Sequence, residues 1–271
     1  MAQKSHPSLT AHLLQDPLQP FPWYRIMRTQ YPVYYSPEFN SWFISRYNDV
    51  QRVINDPELF SSQQTFRRRR SSYGEGKAAK TLLWADPPHH RQLRSLVSQA
   101  FTPRTIAGLS TRITQITHAH LDAVAMQGAM DIINDLANPL PIIVIAELLG
   151  IPIQDQQQFK RWSDSIVSPV RLEKKLAVIE MNAYFLNIIT QRRQQPQDDL
   201  ISALLNAQID GISLSEAELL NFCRLLLVAG HETSTNLIGN ALLTFDEYPE
   251  IMAELRSDPD LIPAAIEEVV R

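Results

Sequence analysis

Cysteine is nearly missing from this sequence. A single thiol, Cys223, excludes an internal disulfide and fits a reducing compartment. Glycine is scarce as well: 8 residues against 18 prolines, so chain reversals are expected at proline-punctuated helix ends. Long hydrophobic runs are lacking; no stretch approaches the roughly 20 apolar residues of a membrane span. The leading stretch, MAQKSHPSLTAHLLQDPLQPFPWY, carries no apolar segment suited to a signal or an anchor. These features lead to the expectation of a soluble, cytoplasmic protein with no membrane contact. Nor is there an excess of one charge. Twenty-five Lys and Arg against 29 Asp and Glu leave a net charge of −4, which gives no drive towards nucleic acid. No internal repeat is visible.

What is present is a globular composition, 44% hydrophobic and 20% charged, in 271 residues. That length suffices for one large core or two modest ones. PFPWYRIMRTQ predicts a short helix. PVYYSP and SWFISR, joined by Glu38-Phe39-Asn40, predict a β-hairpin, and YNDVQRVINDPELF predicts a short helix with Asn48 or Asp49 near its cap. Residues 61–80 carry no apolar period and predict a long loop, with the four-charge run Arg67–Arg70 read first as a solvated tip and otherwise as a docking patch for an acidic partner. From Asp86 onward the pattern is helical, with an acid cap and prolines opening DPPHHRQLRSLVSQAF. Thr102 is the expected N-cap of the next helix, with Pro103 in its first turn, and Met130–Ile133 is expected to be briefly extended. Asp210-Gly211 predicts a turn, and Ser215 with Glu218 has capping-box spacing for a helix from about 216 to 243. The fold class is mainly α with a small hairpin near the N-terminus.

That last helix contains CRLLLVAGHETSTNLIGNALL, apolar on nearly every face yet interrupted by His231, Glu232 and Thr233. Arg224, His231 and Glu232 argue for burial in a protein core rather than in a membrane. Leu226, Ala229, Gly230, Thr233 and Leu237 share a face at helical spacing, and the two small residues predict a notch there. Thr233 is four residues after Ala229, so its hydroxyl can bond back to that carbonyl and loosen the helix. A carboxylate at Glu232 beside that hydroxyl is a candidate proton relay; a Glu paired with an arginine elsewhere is the structural alternative. The zinc pattern H-E-x-x-H fails, because Thr235 stands four residues after His231.

AGHETS (229–234) resembles the oxygen-activating segment of the cytochrome P-450 enzymes, the haem-thiolate monooxygenases. DPPHHRQLR resembles the family's D-P-P-x-H-x-x-x-R, and EEVVR contains its E-x-x-R as Glu268 and Arg271. Order and spacing are similar to the soluble bacterial branch over almost the whole chain. The resemblance implies haem b (heme b, iron protoporphyrin IX), a small apolar substrate, and electrons from a ferredoxin or flavodoxin and its reductase. It implies catalytic roles for Thr233 and Glu232 in proton delivery to dioxygen. His90 and Arg94 would bind haem propionates, and their i, i+4 spacing puts both on one helix face. Ala229 and Gly230 would lie against the cofactor, and Glu268 and Arg271 would be structural. Residues 61–85, with Leu82 and Leu83, and residues 168–175 would roof a pocket that Leu226 and Leu237 help line.

One departure matters. The family's axial cysteine lies in a glycine-rich loop downstream of E-x-x-R, and the sequence ends at Arg271 without one. Cys223, inside the central helix, is expected to be a small buried hydrophobe rather than an iron ligand. The expectation is a fragment or a broken gene product, less readily a fold completed by a second chain, and inactive by itself. Two alternatives stay open: a non-catalytic helical protein that binds apolar ligands, and a haem carrier using His90.

Overall fold

The computed structural model describes residues 19–63, 81–167 and 170–270. Its chain contacts group into two compact units, Met1–Gln63 and Gln64–Arg271. In the first, α1 (Phe21–Gln30) begins with proline in its opening turn, where a missing N–H is harmless. Strands β1 (Val33–Ser36) and β2 (Ser41–Ile44) pair antiparallel, with Tyr34 opposite Phe43 and Tyr35 opposite Trp42. Tyr34 and Ser36 point inward while Val33 and Tyr35 point outward, the two-residue alternation of a half-covered strand. Met27 and Tyr34 form a small core with Trp23, Tyr31 and Phe43. The expected hairpin is therefore present. In α2 (Tyr47–Asn55), neither Asn48 nor Asp49 caps; Arg46 holds the cap position with extended backbone and no capping bond, its Nε donating instead to the Arg28 carbonyl at 3.3 Å.

The second unit is helical. A 3₁₀ turn (Leu82–Trp84) leads into α3 (His89–Ala100) and α4 (Pro103–Ala125). The helix expected to open on Asp86 is capped instead at Pro88, although the Asp86 carbonyl accepts from the His90 N–H at 3.0 Å across the two prolines. Thr102 caps α4 by accepting from the Thr105 N–H at 3.1 Å, as its spacing predicts. Residues 132–133, expected to be extended, are instead part of a π turn (Ile132–Ala137) whose first N–H groups are capped by Asp131. The β-branched pair read as extended, but Asp131 accepts from both the Ile133 and Asn134 N–H groups and starts a helical turn.

Helices α5 (Pro139–Leu148), α6 (Gln156–Val167), α7 (Arg171–Gln194) and α8 (Leu200–Asn206) follow. They enclose one large core, in which Phe159 of α6 meets Phe185 of α7 edge to face at 6.0 Å. Asp210 and Gly211 both take positive φ in a tight turn that bridges Ile209 to Ile212. Helix α9 (Glu216–Glu247) then runs for 32 residues, one turn beyond the expected end near 243. Its capping box forms as predicted: Ser215 Oγ accepts from the Glu218 N–H at 3.3 Å, and Glu218 Oε2 accepts from the Ser215 N–H at 2.9 Å. Helices α10 (Pro249–Ser257) and α11 (Ile262–Val270) complete the described chain, and α11 packs on α9. Among the described residues, no helix is long and apolar enough to cross a membrane.

Candidate functional site

Helix α9 is not buried all round, as its composition suggested. One face is dry: Leu219, Phe222, Cys223, Leu227 and His231 recur at intervals of three and four and are buried. The opposite face is open, and Ala229, Glu232, Thr233, Asn236, Asn240 and Leu243 follow the same period along it. Glu232 and Thr233 therefore face outward among the described residues rather than lying inside the helical core. The reason is visible in the neighbours. The π turn, α5 and α6 cover one side of α9, and the other side, small or polar apart from Leu243, is left uncovered among the described residues.

The back-bond expected at Thr233 exists, its Oγ1 donating to the Ala229 carbonyl at 2.6 Å. The helix stays α-helical through that point, so the bond does not open a wider turn. Of the two small residues, only Ala229 belongs to the open stripe. A Cβ on Gly230 would lie 2.8 Å from Ile145 Cδ1, so the glycine serves the close approach of α5. Leu226 and Leu237 are half-buried, Leu226 against the main core.

On α3, His90 is half-buried and Arg94 exposed, one turn apart. Neither side chain has a hydrogen-bond or ion-pair partner among the described residues, which leaves donors of suitable type beside one another. Their neighbour His89 faces α9. His89 Nε2 lies 3.0 Å from Glu218 Oε1, the same carboxylate that closes the capping box of α9. The two atoms make no hydrogen bond, so this is a close approach of the two side chains. It ties the start of α3 to the start of α9. Leu82 packs there too, around a cavity of about 10 Å³ shared with Leu93, Val97 and Phe222, whereas Leu83 is exposed. A larger groove, about 280 Å³, lies between α6 and α7 around Arg161, Trp162 and Leu176, and none of the expected site residues lines it.

Glu268 lies on the exposed side of α11. Arg271, Arg67–Arg70 and most of the expected roof segments (64–80 and 168–169) fall outside the described residues. Cys223 is fully buried in the main core, and burial pushes its thiol up to about 12. No cluster of three metal-binding side chains occurs among the described residues.

His231 is the residue whose importance the sequence concealed. It is buried, with Nδ1 2.6 Å from Ser163 Oγ on α6 and Nε2 2.6 Å from Asn138 Oδ1 at the start of α5. Burial holds its pKa below the ordinary value of 6.5, so the ring is neutral near pH 7. The amide oxygen can only accept, so Nε2–H donates to Asn138 and the Ser163 hydroxyl donates to Nδ1. No local signal could find this, because the partners stand 68 and 93 residues away.

Comparison with known proteins places this arrangement in context. A family model described as cytochrome P-450 matches residues 142–263. A putative cytochrome P-450, YjiB, of Bacillus subtilis is 42% identical over 95% of this chain and 66% of its own length. The erythromycin C-12 hydroxylase of Saccharopolyspora erythraea is 39% identical over 92% of this chain and 63% of its own. Among solved structures, that of CYP109B1 from Bacillus subtilis matches with a TM-score of 0.81 at 40% identity, covering 94% of this chain and 68% of that one. Substrate-free CYP109E1 from Bacillus megaterium matches with a TM-score of 0.87 at 37% identity, over 94% and 68%. The chain thus spans just under two thirds of the length of the first curated relatives, 66% and 64%.

Proposed function

The chain belongs to the cytochrome P-450 family, and from that premise we propose that it forms the oxygen-handling side of a haem-dependent monooxygenase. The reaction inserts one atom of dioxygen into a small apolar substrate. The other atom leaves as water with two protons, and two electrons come from a ferredoxin or flavodoxin and its reductase. A cytoplasmic setting belongs to the same reading, and the lone buried thiol suits it.

The open stripe of α9 carries this reading. It gathers a small side chain, Ala229, with a carboxylate and a hydroxyl at Glu232 and Thr233, on the one side of the helix that the packed core leaves uncovered. The Thr233 proton is committed to the Ala229 carbonyl, so its oxygen is left to accept a hydrogen bond from a hydroxyl or water in the site. Glu232, one residue earlier and exposed, can pass a proton inward from solvent.

Haem, when bound, supplies the redox chemistry. His90 and Arg94 fit its propionates, since both are donors without another partner among the described residues. Cys223 would not supply a thiolate to the haem iron, because its thiol is fully buried on the far face of α9 and held protonated. A reduced, carbon-monoxide-treated sample of this chain is therefore expected to lack the Soret band of thiolate-bound haem.

Titrating the chain with haem tests the reading. Binding should weaken by about tenfold or more in His90→Ala and in Arg94→Ala, the size of one charge-assisted hydrogen bond. Undiminished binding in the double variant would remove the propionate role. In turnover of a complete enzyme that carries this segment, Thr233→Ala should raise peroxide release per electron consumed, and unchanged coupling would take Thr233 out of the mechanism. Apolar ligand binding with no haem spectrum at all would favour a non-catalytic binding protein.

A further inference from the structure

We propose that His231 is the positioning residue of this site: bridged between Ser163 and Asn138, it sets the rotation of α9 that aims Glu232 and Thr233 at the open side. The inference rests on the reading of that open side as the reacting one.

The geometry of a helix makes the argument. Each residue advances about 100° around the axis. Taking His231 as the origin, Glu232 lies about 100° round, Asn236 about 140°, Ala229 about 160° and Thr233 about 200°. The open stripe is thus centred almost diametrically opposite the imidazole. Fixing the direction of His231 fixes the direction of the stripe, whatever else touches it.

Apolar packing is not directional and tolerates side chains of similar volume, so it constrains rotation less sharply than a hydrogen bond does. Two directed hydrogen bonds from one flat ring do better. They come from different elements: Asn138 stands at the junction of the π turn and α5, and Ser163, itself buried, stands in the middle of α6. Thr235, four residues on and on the same side, adds a third bond, its hydroxyl donating to the Ala137 carbonyl at 3.0 Å. The π turn carries its own purpose here. Its last carbonyl and the residue after it supply both acceptors that hold α9.

The charges acting on the ring are Asp164 and Lys160 from α6 and Glu232 from α9 itself. The π turn and α5 present the uncharged amide of Asn138.

Three measurements on this chain, without haem, decide the matter. Imidazole ¹⁵N shifts should show His231 as the Nε2–H tautomer, with a titration midpoint below that of the exposed histidines. The other tautomer, or an ordinary midpoint, would overturn the bridge. Amide exchange over residues 229–240 should then quicken by about tenfold or more in His231→Phe, the size expected when buried polar partners are left unpaired. Exchange in the core of α7 should stay as it was. His231→Gln, which keeps a donor within reach of Asn138, should recover much of the protection. Protection retained by Phe and lost with Gln would mean that ring volume, not hydrogen bonding, is what matters, and would overturn the proposal. Ser163→Ala, which removes only a hydroxyl, should fall between the two; an effect absent there and in Phe would also overturn it. Failure of haem to bind would sink the monooxygenase reading while leaving these three results to judge His231 on their own.

Discussion

Cys223 and His231 sit two turns apart on the same dry face of α9, and burial moves both away from charge. For Cys223 the consequence is chemical silence. A thiol pushed up to about 12 by burial has almost no thiolate at pH 7. A thiol reagent is therefore expected to leave the native chain unmodified for hours and to label one site promptly in denaturant; prompt labelling of the native chain would contradict its burial. For His231 the consequence is a pH dependence. Its pKa is lowered in the folded state, so the unfolded chain binds the proton more readily. Its contribution to stability is thus fully present above the unfolded value near 6.5 and is lost as pH falls below it. Urea midpoints measured from pH 8 to 5 should fall more steeply for the wild type than for His231→Gln, and parallel slopes would refute the linkage. The sequence marked His231 as an interruption of the apolar run and as a failed zinc ligand, not as a residue with partners of its own. It marked Thr233 correctly as a residue that bonds back to Ala229, because that partner is local.

Among the elements, the contact of α9 with α5 shows how one missing methyl sets a helix distance. A Cβ at position 230 would press Ile145 Cδ1 at 2.8 Å. Overpacking of this kind costs about 1–3 kcal/mol, while Gly→Ala within a helix gains about 1 kcal/mol. Gly230→Ala alone should therefore destabilise by about 1 kcal/mol. In an Ile145→Val background, which lacks the offending Cδ1, the same change should stabilise by about 1 kcal/mol. Denaturation of the four proteins in a double-mutant cycle reads the sign reversal directly, and equal effects in the two backgrounds would show that Ile145 is not the neighbour that matters. Two helix ends were legible at this scale, Ser215 with Glu218 and Thr102 before Pro103, whereas Asn48, Asp49 and Asp86 did not take the cap positions expected of them. The π turn was not legible, because its first two residues are β-branched and it is the capping by Asp131 that starts a helical turn there.

For the molecule as a whole, the end of α7 is joined to α5 and α8 by a buried ion pair. Arg192 and Asp199, 6% and 3% exposed, pair directly. Arg192 also donates to the Gly150 carbonyl at 2.8 Å, and Asp199 caps α8 by accepting from the Ser202 N–H at 2.7 Å. Gly150 takes positive φ, and a side chain there would strike Asp199, so the cluster demands glycine twice over. Arg192→Ala strands a buried carboxylate and should cost about 3–5 kcal/mol. Chemical denaturation measures it, and a loss below 1 kcal/mol would mean the pair is wet.

The sequence by itself determined the helical class, the early hairpin and the caps at Thr102 and Ser215, and it nominated the residues of the candidate site, since these rest on spacing within a few residues and on short motifs. Only the tertiary structure decided which side of α9 is dry, that Gly230 answers to Ile145, and that His231 is held by Ser163 and Asn138. The physical reason is one of range. Periodicity states how residues are arranged around a helix, but what covers each side depends on partners brought together from elsewhere in the chain, and no local pattern records them.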